Sequence, residues 1–177
     1  MKWKSYLMVI AAGALVITGC GTQPSATAGK VSSEHAAPKF SLQTINDNGK
    51  SISLSSLINN KEPILLNAFA SWCEDCNMEE PDLVRVAEKY SGKIKMIGVD
   101  MTVEDTTKGV TSFVQKFKIP YPVLIDKDGS FMESYKVSGL PTTFLLSPQG
   151  NIISTHLGPM TSKQMQAMIA QVLQVHS

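Results

Sequence analysis

The stretch Ile64-Leu65-Leu66-Asn67-Ala68-Phe69-Ala70-Ser71-Trp72-Cys73-Glu74-Asp75-Cys76 runs from a short apolar segment into two cysteines separated by two residues. The apolar part is too short for a helix and is bounded by Pro63 and Ser71, so it reads as a strand buried on both faces. Beyond it the period changes. Leu83, Val84, Ala87 and Tyr90 fall at helical spacing, which predicts a helix over 74–90 with a kink near Pro81. The two thiols therefore sit where a buried strand gives way to a helix start. A cysteine there faces unpaired backbone N–H groups and the positive end of the helix dipole, which favour a thiolate over the ordinary thiol pKa of about 8.5. Cys73 is the expected nucleophile and the more exposed of the two. Cys76 lies one turn further along the same face, within reach to resolve a mixed disulfide made by Cys73, so the pair can cycle between dithiol and disulfide.

Outward from this point the chain alternates strands and helices. Residues 40–42 and 51–54 flank Asn46-Asp47-Asn48-Gly49 and predict a hairpin. Residues 95–99 and 123–125 read as strands, and between them Val110, Phe113, Val114 and Phe117 recur at helical spacing up to Pro120. Asp128-Gly129 marks a turn, residues 131–137 a short helix, and residues 143–146 and 152–156 a second hairpin around Pro148-Gln149-Gly150-Asn151. Met165, Met168, Ile169, Val172 and Leu173 form one apolar face of a closing helix, where the methionines read as core. The pattern predicts an α/β domain with a mixed central sheet flanked by helices.

Three segments carry a resemblance to a known family: residues 64–73, then Cys76-Asn77-Met78-Glu79-Glu80-Pro81, then Val137-Ser138-Gly139-Leu140-Pro141-Thr142-Thr143-Phe144-Leu145. In order and separation they resemble the thioredoxin superfamily, specifically the membrane-tethered extracytoplasmic thiol-disulfide oxidoreductases of the ResA/TlpA type, over about residues 38–175. The resemblance implies a thioredoxin-like fold with an N-terminal β-hairpin and a central insertion. It implies that Pro141 is a cis-proline beside the dithiol, that the Leu140 backbone pairs with an extended substrate, and that Trp72, Leu140 and Pro141 form the substrate-binding surface. It aligns Glu79 with an acid thought to tune the thiols; helix N-terminal electrostatics explains an acid there equally well. Asn67 stands where cytoplasmic thioredoxins carry a buried acid, so that proton route is absent and Glu79 could partly replace it. No cofactor beyond a redox-active Cys73–Cys76 disulfide is implied. The implied partners are an extracytoplasmic protein carrying a disulfide, apocytochrome c among the clients, and a membrane thiol carrier that donates electrons.

The amino terminus agrees with an extracytoplasmic role. Lys2 and Lys4 precede fifteen uncharged residues, 5–19, short of the roughly 20 needed to span a bilayer, which reads as a secretory signal. Ile17-Thr18-Gly19-Cys20 resembles a bacterial lipobox, in which Cys20 becomes the lipidated first residue of the mature chain. Residues 1–19 are thus the signal peptide, 20–38 the lipidated cysteine and a Ser/Thr/Ala/Gly/Pro-rich tether with an r.m.s. reach of about 23 Å, and 39–177 the domain. The expected location is the bacterial cell membrane, lipid-anchored, with the domain on the extracytoplasmic face.

Composition narrows the function further. The 177 residues suffice for one well-buried domain, and 16 basic against 15 acidic residues leave no surplus for a phosphate-tracking nucleic-acid binder. Cleavage before Cys20 removes two lysines and no acid, taking the formal charge from +1 to −1. Three cysteines do not make a stapled mini-protein. No metal site is expected: His35, His156 and His176 supply no second paired-ligand motif for zinc. A copper chaperone on the same fold is the main alternative, although that family has three residues between its cysteines. Ala70 stands where peroxide-reducing relatives carry Thr, and Asn77 where haem attachment needs His.

One departure from the family bears on redox poise. The resembling enzymes often carry Glu-Pro between the cysteines, whereas this chain has Glu74-Asp75. At about 7 Å and an effective dielectric near 60, each acid opposes a thiolate by roughly 0.8 kcal/mol, comparable to the helix-end effect. A weakly stabilised thiolate favours the disulfide, so the expected reduction potential lies toward thioredoxin's end of the scale, below about −150 mV. Equilibration against glutathione buffers measures it, and a value above that bound refutes the argument.

Overall fold

The computed structural model describes residues 35–174. The signal segment, Cys20 and the tether up to residue 34 lie outside the described residues. Strand β4 (Ile64–Phe69) is the axis of the fold, buried at every position. Its alternate side chains divide the core in two. Leu65 and Phe69 face a cluster with Leu83, Val86, Phe113, Met165 and Ile169, whereas Ile64, Leu66 and Ala68 face one with Leu54, Leu57, Phe131, Tyr135 and Phe144. The period of two thus puts helices α2 (Glu74–Lys89), α3 (Thr107–Phe117) and α5 (Ser162–Leu173) on one side. The short helices α1 (Leu54–Leu57) and α4 (Ser130–Ser134) lie on the other.

The remaining strands are β1 (His35–Ala36), β2 (Ser41–Thr44), β3 (Ser51–Ser53), β5 (Lys95–Asp100), β6 (Val123–Ile125), β7 (Thr142–Leu146) and β8 (Asn151–Leu157). They form one mixed sheet in the order β1-β8-β7-β4-β5-β6-β2-β3. Strands β4, β5 and β6 are mutually parallel, and β7 runs antiparallel to β4 with Asn67 opposite Thr143. This is the thioredoxin-like arrangement. The segment containing β6 and α4 lies between α3 and β7, and the β2–β3 hairpin pairs onto β6 at the edge of the sheet. Among the described residues no helix is long and apolar enough to cross a membrane.

Four details depart from the sequence reading. The tether was expected to reach residue 38, but His35 and Ala36 pair with Ile152 and Asn151, the Ala37 N–H donates to the Gly150 carbonyl at 2.9 Å, and Ala37 and Phe40 are buried. Edge pairing of this kind uses backbone groups alone, so a Ser/Ala/Pro-rich composition conceals it. Leu54 was read as the end of a strand; it begins α1 instead, because the Ser53 hydroxyl accepts the Ser56 N–H and the Ser56 hydroxyl accepts the Ser53 N–H in a reciprocal cap. The short helix ends at Ser134, not at residue 137. Finally, α2 is continuous across Pro81.

Candidate active site

The C-terminal end of β4 delivers the chain to Cys73, which occupies the N-cap of α2 with extended backbone (φ −72°, ψ 120°). Its Sγ accepts the Cys76 N–H at 3.2 Å, the interaction a Ser or Asn cap makes through oxygen. Cys73 and Cys76 are joined as a disulfide with Cα atoms 5.2 Å apart. Both sulfurs are largely buried, but Cys73 is 7% exposed against 2% for Cys76, so a partner reaches Cys73 first. Glu74 and Asp75, the first helical residues, point into solvent.

Cys73 opens on a groove of about 410 Å³ walled by Trp72, Met101, Met132, Val137 and Leu140. The Leu140–Pro141 peptide is cis, and Pro141 is buried with its carbonyl accepting the Gly158 N–H at 2.8 Å. The structure therefore brings Trp72, Cys73 and Leu140 to one depression, whereas Pro141, the next residue in the chain, is buried and does not line it. Trp72 is 60% exposed, an unusual placement for an indole, and its Nε1 donates to the Glu104 carbonyl at 2.8 Å.

Glu79 lies behind the dithiol, one turn after Cys76, and is almost fully buried. Its Oε2 accepts from Asn67 Nδ2 at 3.1 Å and its Oε1 from the Met160 N–H at 2.9 Å. Asn67 also donates to Thr143 Oγ1 at 3.0 Å, which uses both amide hydrogens. Asn67 thus orients the Glu79 carboxyl. Burial outweighs these two hydrogen bonds and pushes the Glu79 carboxyl up to about 7.

Two further acids escaped the sequence reading. Glu80 is 1% exposed and accepts the Tyr121 hydroxyl at 2.5 Å; burial, reinforced by the neighbouring Glu79 charge, raises it to about 8. Asp100, at the end of β5, is fully buried and raised to about 8, again by burial first. The consecutive acids Glu79-Glu80 in an otherwise amphipathic helix, and an Asp closing an apolar strand, are visible in the sequence, but nothing there says that they point inward. Cys20 lies outside the described residues. Among the described residues no group of three or more His, Cys, Asp and Glu side chains is placed to hold a metal ion.

This arrangement can exchange a disulfide and move a proton. The Redoxin family pattern matches residues 32–173. The chain is 36% identical over 131 residues to the thioredoxin-like protein YneN of Bacillus subtilis, covering 73% of this chain and 74% of that one. It is 32% identical over 126 residues to the thiol-disulfide oxidoreductase ResA of the same organism, covering 71% and 67%. Among solved structures, StoA from Bacillus subtilis superposes with a TM-score of 0.63 at 28% identity, covering 73% of this chain and 95% of that one.

The buried acids dictate how stability varies with pH. A carboxyl whose pKa is raised on folding binds its proton more tightly in the native than in the unfolded chain, so stability is greatest below the unfolded value and falls as pH rises through the native one. That window opens at 3.8 for Asp100 and 4.5 for the two glutamates, and closes at about 7 for Glu79 and about 8 for Glu80 and Asp100. Urea midpoints should therefore fall between pH 5.5 and pH 8.5. Glu80→Gln, which still accepts from Tyr121, should flatten the decline and gain about 1–3 kcal/mol at pH 8.5. A midpoint in Glu80→Gln that tracks the parent protein across that range would contradict the assignment.

Proposed function

The chain belongs to the Redoxin family and is a protein-disulfide oxidoreductase, and from that premise we propose that it reduces disulfides in extracytoplasmic proteins, with Cys73 as nucleophile and Cys76 as resolving thiol. The observation that carries this reading is the pair itself: two sulfurs at the N-terminus of α2, of which Cys73 alone lines the groove.

In the reduced protein the Cys73 thiolate attacks one sulfur of a client disulfide. A Cys73–client bond forms, the client S–S bond breaks, and the second client sulfur departs as a thiolate and takes up a proton. The Cys76 thiol then gives its proton to the Glu79 carboxylate, which its raised pKa equips to accept one near neutral pH. The Cys76 thiolate attacks Cys73 Sγ and expels the remaining client thiolate. Two electrons have passed to the client, and the protein is left as the Cys73–Cys76 disulfide. A membrane thiol carrier returns the electrons by the same exchange. The client lies across Trp72 and Leu140, where the Leu140 backbone next to Pro141 offers an extended segment its hydrogen bonds. The family resemblance supports apocytochrome c as one client.

Lys2, Lys4, the apolar run and Ile17-Thr18-Gly19-Cys20 support export, cleavage and lipid attachment at Cys20, which would hold the domain at the outer face of the cell membrane. A single lipid chain binds a membrane only reversibly, so a diacylated cysteine is the anchor this reading requires.

Two experiments test these assignments. Cys76→Ser should accumulate mixed disulfides through Cys73, visible on non-reducing gels, while Cys73→Ser should not; equal trapping by Cys73→Ser would reverse the roles. Cys20→Ser should abolish incorporation of labelled fatty acid and release the protein from the membrane fraction, and undiminished labelling would place the lipid elsewhere or remove it from the reading.

A further inference from the structure

Asp100 Oδ2 is the one buried side-chain oxygen or nitrogen among the described residues that has no hydrogen-bond partner. The other oxygen, Oδ1, accepts from Thr102 Oγ1 at 2.7 Å. An orphaned polar atom of this kind costs folding free energy, the more so if charged, and in a native protein it calls for an explanation. The titratable groups that face Asp100 are both acids. Asp105, in the turn before α3, and Asp126, after β6, both act on it through their charges, Asp105 the more strongly, and Asp105 is near enough to pair with it once a proton lies between the two carboxyls. Asp126 is already engaged, accepting the N–H groups of Phe131 at 3.1 Å and Met132 at 2.9 Å. Two carboxyl groups can hydrogen-bond only when one of them carries a proton.

Asp105 in turn grips the loop that presents the nucleophile. Its Oδ2 accepts the Ser71 N–H at 2.5 Å, and its Oδ1 accepts the Ser71 hydroxyl at 2.9 Å and the Thr106 N–H at 2.6 Å. A carboxylate has about four lone-pair sites, so one site on Oδ2 remains. Asn77 Nδ2 completes the hold by donating to the carbonyls of Ser71 and Cys73, each at 2.9 Å. Every polar group of Ser71 is thereby fixed, two residues before Cys73. The fit is tight: a Cβ at Gly109 would meet Ser71 Oγ at 2.5 Å and Asp105 Oδ1 at 2.7 Å.

We propose that Asp105 is the positioning residue of the Cys73 turn, and that Asp100 acts through it as a protonated carboxyl donating its O–H to the fourth lone-pair site. The proposal rests on Cys73 being the nucleophile. Burial and the neighbouring acids keep the proton on Asp100 up to about pH 8. Above that, Asp100 and Asp105 are adjacent anions, the hydrogen bond between them is gone, and the turn loosens. In Asp100→Asn the amide N–H takes the place of the O–H and cannot be titrated away.

The test is insulin reduction by the full chain with dithiothreitol as electron donor, at pH 6.5 and pH 9.5, normalised to the folded fraction by circular dichroism. Ionisation of Cys73, Glu79, Glu80 and dithiothreitol is common to both proteins and cancels in the ratio of Asp100→Asn to parent rates. That ratio should rise about five-fold from pH 6.5 to pH 9.5, and Asp105→Ala should be about ten-fold slower than the parent protein at pH 6.5 but only about two-fold slower at pH 9.5, where the parent has already lost the bond. In an Asp105→Ala background the substitution at 100 should produce no rise. A flat ratio overturns the proposal even if Asp105→Ala fails to fold. A rise that persists without Asp105 also overturns it, since it would mark a plain charge effect on the thiol. Failure of the nucleophile reading is separately visible, as activity retained by Cys73→Ser.

Discussion

The hydrogen bond from the Cys76 N–H to Cys73 Sγ is the constraint around which this site is built. A helix start must satisfy its first N–H groups with something, and here a sulfur does what a side-chain oxygen usually does. The same contact sets the sulfur at the positive end of α2, where a thiolate is stabilised, and brings the two cysteines to a Cα separation of 5.2 Å, at which they bond. Capping, activation and pairing are thus one geometric fact. They require that β4 end in the right place, and β4 ends there because its six residues are buried on both faces and aligned with Asp100 on one side and Thr142 on the other.

Around this contact the domain carries more buried acid than its core would need for packing. Glu79, Glu80 and Asp100 each give up hydration, and each is raised by that loss into the range where a proton is readily exchanged near neutrality. Their environments differ. Glu79 accepts two donors, one from the central strand and one from the loop before α5; Glu80 accepts a tyrosine hydroxyl; Asp100 faces other acids. Thiol-disulfide exchange consumes and releases protons at sulfurs from which a docked client excludes water. A buried carboxyl raised to about 7 is suited to such proton exchange, and an apolar residue in its place is not.

Much of this was legible in the sequence because it is written in period and punctuation. The run at 64–69, the helical spacing after Cys73, the turn at 46–49 and the hairpin around Gly150 all appear where those signals place them. What was hidden depends on hydrogen bonds and side-chain contacts that periodicity does not register. Strand β1 exists because β8 offers it a free edge, and α1 exists because Ser53 and Ser56 cap each other where an alternating pattern suggested more strand. Glu80 and Asp100 look like ordinary surface acids until Tyr121 and Asp105 are brought against them, 41 and 5 residues away. Side-chain direction at a single polar position is decided by tertiary contacts, to which local periodicity is blind.

The acids around the dithiol differ in burial, and burial decides the medium through which each one acts. Read along the chain, Glu74 and Asp75 are the charges nearest the nucleophile and should dominate its electrostatics. Folded, both extend into water, where the effective dielectric is high and salt screens them within about 10 Å. As the first two residues of α2 they also favour the helix dipole, which offsets part of their repulsion on a thiolate at the same terminus. Glu79 is further along the chain but sits in the interior, where a unit charge acts through a lower dielectric and with its orientation fixed by Asn67 and Met160. The acids nearest Cys73 in the chain are thus the ones that water screens, whereas Glu79 is held in the interior by Asn67 and Met160.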